Sequence, residues 1–446
     1  MALTGIQIYK LLPQTNCKEC GFPTCLAFAM KLAAKQVELS ACPYVTPEAK
    51  TQLAESAAPP IRLVALKSDG YEAKAGNEVV LFRHEKTFYN KPGLFIRIYD
   101  NQPADAIKAT VTAADAYAVN YVGMDLTVDG FAVASASGDP NVFTAAIQTV
   151  RAVSKRPIVL MSRDVHVVKA GLNVLKGETP LIYGADVNNW ESFADLAKEY
   201  KAALGLVAGS LTEMADLTEK IKTKGVEDLV IDPGGRDLGS GLAIGTTIRR
   251  LAVKKNFRSL GFPVITFPGD VSDPGLEAVQ ATQAITKYAG FIVLDHFNPA
   301  TIYPLLVLRQ NIYTDPQKPI QVQPGIYEIN APKPEDPVLV TTNFSITYFS
   351  VANEVEGSGL PAWLLVTDAE GMSVLTAWAA GKFDAERIAK AVKGFNVADK
   401  VSRKRIVLPG HVAVLSGELE AELPDWEIRV GPREAVDLPA FMKQAL

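Results

Sequence analysis

The sequence predicts an α/β protein with three modules: an N-terminal module built on cysteines, a central TIM (β/α)8 barrel and a C-terminal Rossmann-like domain. All four cysteines of the 446-residue chain lie between Cys17 and Cys42. Strand-like and helix-like segments then alternate eight times between about residues 93 and 298. A stretch with six prolines, Asp315 to Pro337, precedes a shorter alternation of the same kind.

Changes in composition give the expected domain boundaries. Residues 51–60 (TQLAESAAPP) are small and polar and end in two prolines, which indicates a linker. We expect a cysteine module over 1–57, a barrel with a preceding strand pair over 58–314, a Pro-rich linker over 315–337 and a C-terminal domain over 338–446. A chain of this length is expected to form more than one domain.

The overall charge and hydropathy exclude several classes of protein. A net charge of −4 provides no basic surface for nucleic acid or for an anionic membrane. The N-terminus lacks the pattern of a signal peptide, and no apolar run has the length of a membrane span. We therefore expect a cytoplasmic protein, in which four clustered cysteines are reduced rather than paired in disulfides.

The cysteines follow one spacing, Cys17-x2-Cys20-x4-Cys25-x16-Cys42. Gly21 allows the close backbone approach that a cluster loop needs. Cys25 falls in the first turn of a helix predicted from Pro23 to about Val37, where backbone N–H groups favour an anionic cluster. Structural zinc usually takes paired CxxC motifs, and only one occurs here. The uneven spacing favours a [4Fe–4S] cluster bound by all four cysteines, with zinc as the alternative.

The central region contains eight strand-like apolar runs, which are Leu94–Ile98, Gly130–Ala134, Pro157–Met161, Pro180–Tyr183, Ala203–Ala208, Asp228–Ile231, Pro263–Thr266 and Gly290–Leu294. The helical segments predicted between them include Asn141–Ser154, Val165–Leu175, Ser192–Tyr200, Met214–Lys224, Ile244–Asn256 and Glu277–Tyr288. Eight β/α units in about 200 residues match a TIM barrel, although an open sheet has the same element order. A strand pair, Ile61–Leu66 with Glu78–Phe82, is expected before the barrel.

Polar residues follow the predicted barrel strands, on the face where TIM barrels bind ligands. They are Asp186, Asn188, Asn189, Asp232, Asp270, Asp295 and His296. They could hold a polar substrate such as a pterin, but Asp and Asn are also preferred helix caps. No pair of carboxylates has a spacing that requires acid–base chemistry, so we interpret them as caps and loop hydrogen bonds. The glycine-rich segment Gly234–Gly241 is only a weak indication of an anion site.

The C-terminal domain is predicted to be a small doubly wound sheet. Its strands are Val338–Thr341, Ala362–Thr367, Arg405–Leu408 and Glu427–Val430. Its helices are Ile346–Glu356, Met372–Ala380, Ala385–Val392, Val412–Ala421 and Arg433–Ala445. The turn after each strand is rich in glycine and small or hydroxylated residues. Short turns favour such residues in general, but four turns at one sheet edge predict a ligand pocket.

Two motifs support a family resemblance when they are taken together with the order of the modules. They are NCKECGFPTC with ACP at the N-terminus, and EGMSVLTAWAAGKF in the C-terminal domain. Over its whole length the chain resembles the large (gamma) subunit of the corrinoid iron–sulfur protein of the acetyl-CoA synthase/decarbonylase pathway. The cysteine motif alone is less specific, because electron-transfer subunits and activators of corrinoid proteins carry similar ones.

The resemblance implies a methyl carrier of the reductive acetyl-CoA (Wood–Ljungdahl) pathway. Its C-terminal domain would bind a base-off corrinoid, with cobalt between this subunit and a smaller TIM-barrel subunit in a heterodimer. Cobalt(I) would accept a methyl group from methyl-tetrahydrofolate on a separate methyltransferase. The methyl group would then pass to acetyl-CoA synthase of the carbon monoxide dehydrogenase complex. The cluster, fed by a low-potential electron donor, would supply one electron to reduce inactive cobalt(II) back to cobalt(I). The chain itself would supply no catalytic residue.

Strand-end position and the resemblance together give the predicted corrinoid contacts. They are Thr341, Thr342, Ser345, Gly371, Met372, Ser373, Val374, Leu375, Thr376, Ala377, Gly410, His411, Gly431 and Pro432. The chain has no Asp-x-His-x-x-Gly motif of the kind that supplies an axial imidazole, and Asp295-His296 has the wrong spacing. We therefore expect His411 to hydrogen-bond the corrinoid rather than to ligate cobalt.

Two other functions remain open from the sequence. One is a pterin-binding barrel methyltransferase with a structural cluster. The other is an iron–sulfur electron-transfer subunit whose small domain binds a flavin or a nucleotide. The absence of G-x-G-x-x-G after a strand argues mildly against a dinucleotide.

Overall fold

A computed structural model describes residues 5–33, 37–47, 49–50, 53, 59–85, 87–315 and 320–445. The chain forms two compact units. The first contains Met1–Tyr117 and Thr127–Tyr313, and the second contains Ala118–Leu126 and Thr314–Leu446. No helix in the described ranges combines the length and the apolar character needed to cross a bilayer.

The N-terminal segment is helical. Helices Gly5–Leu11 and Cys25–Ala33 are joined by a loop, and a 3-10 turn follows at Leu39–Ala41. A Cβ on Gly5 would lie 2.3 Å from the Met30 sulfur, so the glycine lets the two helices approach closely. The helix predicted from Pro23 begins at Cys25. The described helix extends to Ala33, residues 34–36 fall outside the described residues, and Val37, the predicted helix end, is not helical. Most of the expected linker over 51–60 also falls outside the described residues.

A hairpin precedes the barrel, but its second strand differs from the prediction. Strand β1 (Val64–Ser68) pairs antiparallel with β2 (Tyr71–Ala75), not with Glu78–Phe82. The reason is the two-residue turn Asp69-Gly70, in which both residues have positive φ (26° and 87°), as tight hairpins require. The Asp-Gly dipeptide is the sequence signal of this hairpin, and the predicted strand Glu78–Phe82 lies beyond it.

The central region forms a closed barrel of eight parallel strands, which confirms the predicted TIM barrel. The strands are β3 (Gly93–Tyr99), β6 (Gly130–Ala134), β7 (Ile158–Met161), β8 (Leu181–Ala185), β9 (Ala203–Val207), β10 (Leu229–Asp232), β11 (Val264–Thr266) and β12 (Ala289–Leu294). The helices are Ala104–Ala116, Pro140–Val153, Val165–Val174, Trp190–Tyr200, Leu211–Thr223, Leu238–Lys255, Pro274–Thr286 and Pro299–Ile312. Each strand pairs with the next along the chain, and β12 closes the barrel against β3.

Three barrel helices begin with the same local signal, an Asp or Asn followed by proline. The carboxylates of Asp139 and Asp273 and the amide of Asn298 each accept an N–H two residues later, at 2.8, 2.8 and 2.9 Å. The following proline occupies the first helical position, where no N–H is needed. The observed helices begin at Pro140 and Pro274, slightly before the predicted starts at Asn141 and Glu277.

The barrel interior is packed and closed at one end. Large side chains such as Phe95 and Phe291 fill it together with residues of the β1–β2 hairpin, among them Val64 and Leu66. Lys67 of β1 pairs with Thr179, which precedes strand β8, so the hairpin lies at the N-terminal ends of the strands. The carboxyl ends are left for the polar residues named above.

The second unit contains an open five-stranded sheet in the order β13-β15-β14-β16-β17. The strands are β13 (Gly325–Ile329), β14 (Val338–Thr342), β15 (Ala362–Thr367), β16 (Arg405–Leu408) and β17 (Glu427–Val430). The helices are Ser345–Ser358, Val374–Ala379, Ala385–Gly394, Val397–Lys400, Ser416–Glu422 and Leu438–Ala445. All neighbouring strands are parallel except β13, which pairs antiparallel with β15.

Alternation along the strands gives this sheet two buried faces. Val338 and Val340 pack in one core with helix Ala385–Gly394, while Leu339 packs in the other with helices Ser345–Ser358 and Leu438–Ala445. A hairpin of β4 (Val119–Tyr121) and β5 (Met124–Leu126) adds to the second core. The sheet is therefore covered on both faces, as in doubly wound proteins.

Three expectations for this region require correction. The Pro-rich stretch contains strand β13, because its prolines flank residues 325–329 rather than interrupt them, while residues 316–319 fall outside the described part. The segment predicted as helix Val412–Ala421 is a 3-10 turn over Gly410–Leu415 followed by helix Ser416–Glu422. The last helix begins at Leu438, not at Arg433.

Candidate functional site

The four cysteines lie in one small helical segment and all have free thiols. Cys25 and Cys42 are buried in its core, Cys20 is half-buried and Cys17 is exposed. The Asn16 side-chain oxygen accepts the Cys25 N–H at 2.8 Å and so caps the helix that begins there.

The loop before Cys25 is held by local contacts. The Gly21 N–H donates to the Lys18 carbonyl at 2.9 Å, and both residues have positive φ, 82° and 67°. The Tyr44 hydroxyl donates to the Glu19 carboxylate at 2.8 Å, joining this loop to the segment after Cys42. This bond to Glu19 raises the pKa of Tyr44. The loop and the last cysteine are thus tied together by side chains.

The structure does not bring the cysteines into a ligating arrangement. No set of three or more His, Cys, Asp or Glu side chains within the described residues is positioned to share a metal ion. The donor set nevertheless fits an iron–sulfur cluster in its chemistry, because four free thiols occur within 26 residues and two of them line an apolar core. Assignment of the four as ligands stays a prediction.

A cleft of about 310 Å³ lies at the carboxyl ends of strands β14 and β16. β14 pairs over all five residues with β15, but only Val338 and Leu339 pair with β16. The strands β14 and β16 therefore separate towards their ends. The connection from β14 leads to one neighbour, β15, and the chain then crosses to the other, β16. Open α/β sheets bind ligands at such a switch point.

Seven of the fourteen predicted contacts line this cleft, namely Thr341, Ser373, Val374, Leu375, His411, Gly431 and Pro432. The other seven, which are Thr342, Ser345, Gly371, Met372, Thr376, Ala377 and Gly410, do not. Strand alternation directs Thr342 to the opposite face from Thr341, and Ala377 lies in the core of that face. Gly410 supports the cleft from behind, because a Cβ there would lie 2.5 Å from the Gly431 carbonyl oxygen.

One wall of the cleft lies outside the predicted contact set. Helix Ser345–Ser358 contributes one face, formed by Ile346, Thr347, Ser350 and Val351. Ile346 is 65% exposed, which is unusual for isoleucine. The recurrence of these residues at positions i and i+4 is the signal that could have identified this face. Strand ends and segment 433–438 supply the remaining lining, which is Leu339, Val340, Val407, Leu408, Pro409, Arg433, Glu434, Ala435 and Leu438.

The polar groups of the cleft are few. The hydroxyl oxygen of Thr341 is buried and has no hydrogen-bond partner among the described residues, and the same holds for Thr342 behind it. His411 lies 3.7 Å from the Glu434 carboxylate across the cleft. A buried hydroxyl without a partner costs free energy unless a ligand satisfies it. The Thr341 hydroxyl therefore indicates a ligand that offers a hydrogen-bonding group.

The carboxyl end of the barrel is different, because its polar groups bind one another. The Asp232 carboxylate accepts two hydrogen bonds from Arg236, at 2.9 and 2.7 Å, and one from the Tyr183 hydroxyl at 2.5 Å. Arg97 donates to both Asp270 and Asp295. Arg236 also donates to Asp270, at 3.0 Å. This bond connects the group around Asp232 with the group around Arg97. We call these side chains the barrel-mouth network.

Only some of the polar residues after the barrel strands have the cap and loop roles that the sequence predicts. Asp186, Asn188 and Asn189 do make loop hydrogen bonds, as expected. Asp232 also accepts a loop N–H, from Gly234 at 3.0 Å, but it belongs with Asp270 and Asp295 to ion pairs that the prediction did not include. His296 pairs with Glu277 at 2.5 Å. Hydrogen bonding to Asp232 raises the pKa of Arg236, and burial followed by the charge of Asp232 raises the pKa of Tyr183.

Comparisons with known proteins agree with the module order. A family model for the CO dehydrogenase/acetyl-CoA synthase delta subunit matches residues 63–442, and a model for a putative Fe-S cluster matches residues 12–44. The chain is 44% identical to the corrinoid/iron-sulfur protein large subunit of Moorella thermoacetica, over 100% of both chains.

Archaeal proteins give the same result. The chain is 34% identical to the acetyl-CoA decarbonylase/synthase complex subunit gamma of Archaeoglobus fulgidus, over 98% of this chain and 97% of that one. It is also 34% identical to the gamma subunit of Methanopyrus kandleri, over 99% and 98%. The delta-subunit model starts after the cysteine module, whereas these relatives align over nearly the whole chain. The chain therefore belongs to the family of corrinoid/iron–sulfur protein large subunits, the gamma subunits of acetyl-CoA decarbonylase/synthase complexes.

Proposed function

We propose that this chain is a methyl-group carrier that binds a base-off corrinoid in its C-terminal domain and a [4Fe–4S] cluster on Cys17, Cys20, Cys25 and Cys42. The observation that carries the corrinoid proposal is the cleft at the switch point of the second sheet, with the unpaired Thr341 hydroxyl in its lining. Family membership over the full length supports the choice of ligand. The proposed division into modules is 1–57, 58–314, 315–337 and 338–446.

Side chains of the cleft have distinct roles in this proposal. The Thr341 hydroxyl hydrogen-bonds the ligand, and Gly410 allows the turn at Gly431–Pro432 to approach it closely. His411, paired with Glu434 at 3.7 Å, donates a hydrogen bond to an amide or phosphate of the ligand rather than ligating cobalt. When bound, the corrinoid supplies a nucleophilic cobalt that exchanges a methyl group between methyl-tetrahydrofolate and acetyl-CoA synthase.

The cysteine module serves the same cycle by reduction. When bound, the cluster would supply the electron that reduces inactive cobalt(II) to cobalt(I). Cys25 is preorganised for this role, because its backbone is capped by Asn16 and its thiol lies in an apolar core. The proposed partners are a small subunit in a heterodimer, a methyl-tetrahydrofolate methyltransferase, carbon monoxide dehydrogenase/acetyl-CoA synthase and a low-potential electron donor. Four free thiols are typical of a reducing compartment, so we propose a cytoplasmic protein.

Metal content and the visible spectrum test the proposal. We expect full-length protein, produced anaerobically with corrinoid available, to contain cobalt and about four irons per chain. Zinc without iron would contradict the cluster. Hydroxocobalamin titrated into cobalt-free protein should bind with a change in its visible spectrum, and an unchanged spectrum would contradict the corrinoid site.

A second candidate is an electron-transfer subunit with a flavin in the same cleft. The parallel strand order β15-β14-β16-β17 favours it, because flavodoxin-like sheets bind FMN at this switch point. Iron together with a flavin spectrum, and without cobalt, would support this candidate. A pterin-binding barrel would instead require the barrel-mouth network to open.

Replacing Cys20 with alanine separates the two cofactor roles. We expect C20A to recover slowly from oxidation with the physiological electron donor, because the proposed cluster loses a ligand. Protein whose cofactor is already reduced should still accept methyl groups. The measurements are the visible spectrum during recovery and the rate of a single methyl transfer. Recovery at the parent rate would show that the cysteine module does not reduce the corrinoid.

A further inference from the structure

Asn343, the first residue after strand β14, joins three segments at the edge of the cleft. It is 2% exposed. Its side-chain oxygen accepts the N–H groups of Ala369 and Gly371, both at 2.9 Å. Its side-chain nitrogen lies 3.3 Å from carboxylate or amide oxygens of Asp368 and Gln321. We call this arrangement the Asn343 clasp.

The clasp fixes a loop whose backbone is otherwise unfavourable. Glu370 and Gly371 have positive φ, 55° and 72°, in succession. This conformation turns two N–H groups towards one acceptor, which the Asn343 oxygen supplies. A Cβ on Gly371 would lie 2.6 Å from the Gln321 amide nitrogen, so the loop packs tightly against the third segment. The loop therefore has a single shape as long as the clasp is intact.

The loop leads directly into the wall of the cleft. Ser373 follows it, precedes helix Val374–Ala379, and lines the cleft together with Val374 and Leu375. The Ser373 hydroxyl donates to the Thr376 hydroxyl at 3.0 Å, so Ser373 is in turn held by the helix that follows it. Asn343 itself does not line the cleft. Its effect on a ligand must pass through the position of these residues.

We propose that Asn343 is a positioning residue for the corrinoid, acting through the loop 368–372 on the wall formed by residues 373–375. This inference rests on the proposed function, since it concerns the same cleft. Asn343 is not among the predicted corrinoid contacts and does not line the cleft, so its role depends on the hydrogen bonds that it makes to the loop.

An exchange of side-chain groups tests the clasp. In N343D the new carboxylate still accepts both N–H groups, but it faces Asp368 with like charge and no longer donates. We expect N343D to bind hydroxocobalamin about tenfold more weakly. This is the usual effect of losing one hydrogen bond to a charged group, here the bond from position 343 to the Asp368 carboxylate. The double variant N343D/D368N restores a donor and an acceptor between the two positions. It should recover most of the lost affinity.

Asn330 provides a matched control in the same domain. Its side-chain nitrogen donates to the carbonyls of Val355, Glu356 and Leu360 at 3.1, 3.3 and 2.9 Å, at the other end of helix Ser345–Ser358. N330D makes the same chemical change and should lower thermal stability. It should leave hydroxocobalamin affinity within about twofold of the parent, because neither Asn330 nor any of its three partners lines the cleft or leads directly into its wall.

Amide hydrogen exchange in the full-length chain without corrinoid gives a second readout. Exchange at Ala369 and Gly371 should accelerate about tenfold or more in N343L and stay unchanged in N330D. Unchanged exchange in N343L would overturn the clasp. Parent-like corrinoid affinity in both N343D and N343L would overturn the positioning role. If the parent itself fails to bind hydroxocobalamin, the corrinoid proposal fails and the positioning role falls with it, while exchange still decides whether the clasp exists.

Discussion

The carboxyl ends of the two parallel sheets in this chain differ in how their polar groups are satisfied. Both are positions where α/β proteins bind ligands. At the barrel mouth, Arg97 and Arg236 form ion pairs with the carboxylates of Asp232, Asp270 and Asp295. In the cleft of the second sheet, the buried hydroxyl of Thr341 has no partner among the described residues. The barrel mouth is complete without a ligand, and the cleft is not.

The comparison shows that strand-end position is a weak guide to a binding site. Acidic residues at a barrel mouth suggest a polar substrate when only the sequence is known. The structure shows that those side chains are already paired, so a pterin would have to displace an arginine from each carboxylate it used. An unsatisfied buried group with space beside it is the stronger indication of a ligand.

The largest expected effect comes from removing Arg97, whose side chain is 7% exposed. R97M leaves two carboxylates, Asp270 and Asp295, without this partner in a partly buried site. We expect the free energy of unfolding to fall by about 3–5 kcal/mol, the usual cost of breaking a buried ion pair from one side. Urea unfolding of the full chain measures this. Corrinoid affinity should not change, and a change would show that the two regions are not independent.

Tyr183 gives a smaller effect with a defined pH dependence. Burial and Asp232 raise its pKa above the ordinary value of 10.0, so the folded protein keeps this proton while the unfolded chain loses it. The parent should therefore lose stability as pH rises above about 10. In Y183F that contribution is absent. The variant should be about 1–2 kcal/mol less stable than the parent near neutral pH, and the difference should shrink in urea titrations near pH 11.

Much of the fold could be predicted because it depends on local signals. Most barrel strands are apolar runs between polar loops, which is the pattern of strands buried on both faces, and β3 is interrupted only by Arg97. The structure contains all eight, with ends that differ from the prediction by at most two residues. Helix Ala104–Ala116 was not among the helices named from the sequence, because its buried stripe consists of only Ile107, Val111 and Ala114 in an alanine-rich segment. Strand β13 was missed because nearby prolines suggested a linker.

The site was less predictable, since its walls come from tertiary packing. The turns after β14, β16 and β17 were recognised because hydroxyls and glycines cluster there. The face of helix Ser345–Ser358 that lines the cleft could not be chosen without knowing which side of the sheet the helix covers. The role of Asn343 was missed for the same reason. Its partners Ala369 and Gly371 are 26 and 28 residues away in sequence.

Alanine substitutions at Gly371 and Gly359 distinguish the effect of backbone strain from the effect of loop packing. Both have positive φ, 72° and 70°. A Cβ on Gly371 would displace the Gln321 amide, whereas a Cβ on Gly359 meets nothing within 4 Å. Alanine at either position should cost about 1–2 kcal/mol of strain. Only G371A should also weaken hydroxocobalamin binding. Equal affinity in both variants would show that the cleft does not depend on the shape of this loop.

Thr341 and Thr367 give the smallest effect and test the comparison most directly. The Thr341 hydroxyl has no partner among the described residues, while the Thr367 hydroxyl, equally buried, donates to the Thr341 carbonyl at 3.2 Å. Valine has nearly the same shape as threonine. T367V should therefore lose about 1 kcal/mol of stability, and T341V should lose none or gain slightly, because it removes an unsatisfied group.

For ligand binding we expect the opposite ranking, in which T341V is affected more than T367V. If a corrinoid satisfies the Thr341 hydroxyl, T341V should bind hydroxocobalamin several-fold more weakly, by about 1 kcal/mol, while T367V binds like the parent. Thermal unfolding with and without hydroxocobalamin measures both effects in one experiment, since ligand binding raises the melting temperature. A T341V protein that is less stable than the parent without ligand would mean that this hydroxyl already has a partner. The cleft would then resemble the barrel mouth, and the contrast between the two sheet ends would no longer identify the binding site.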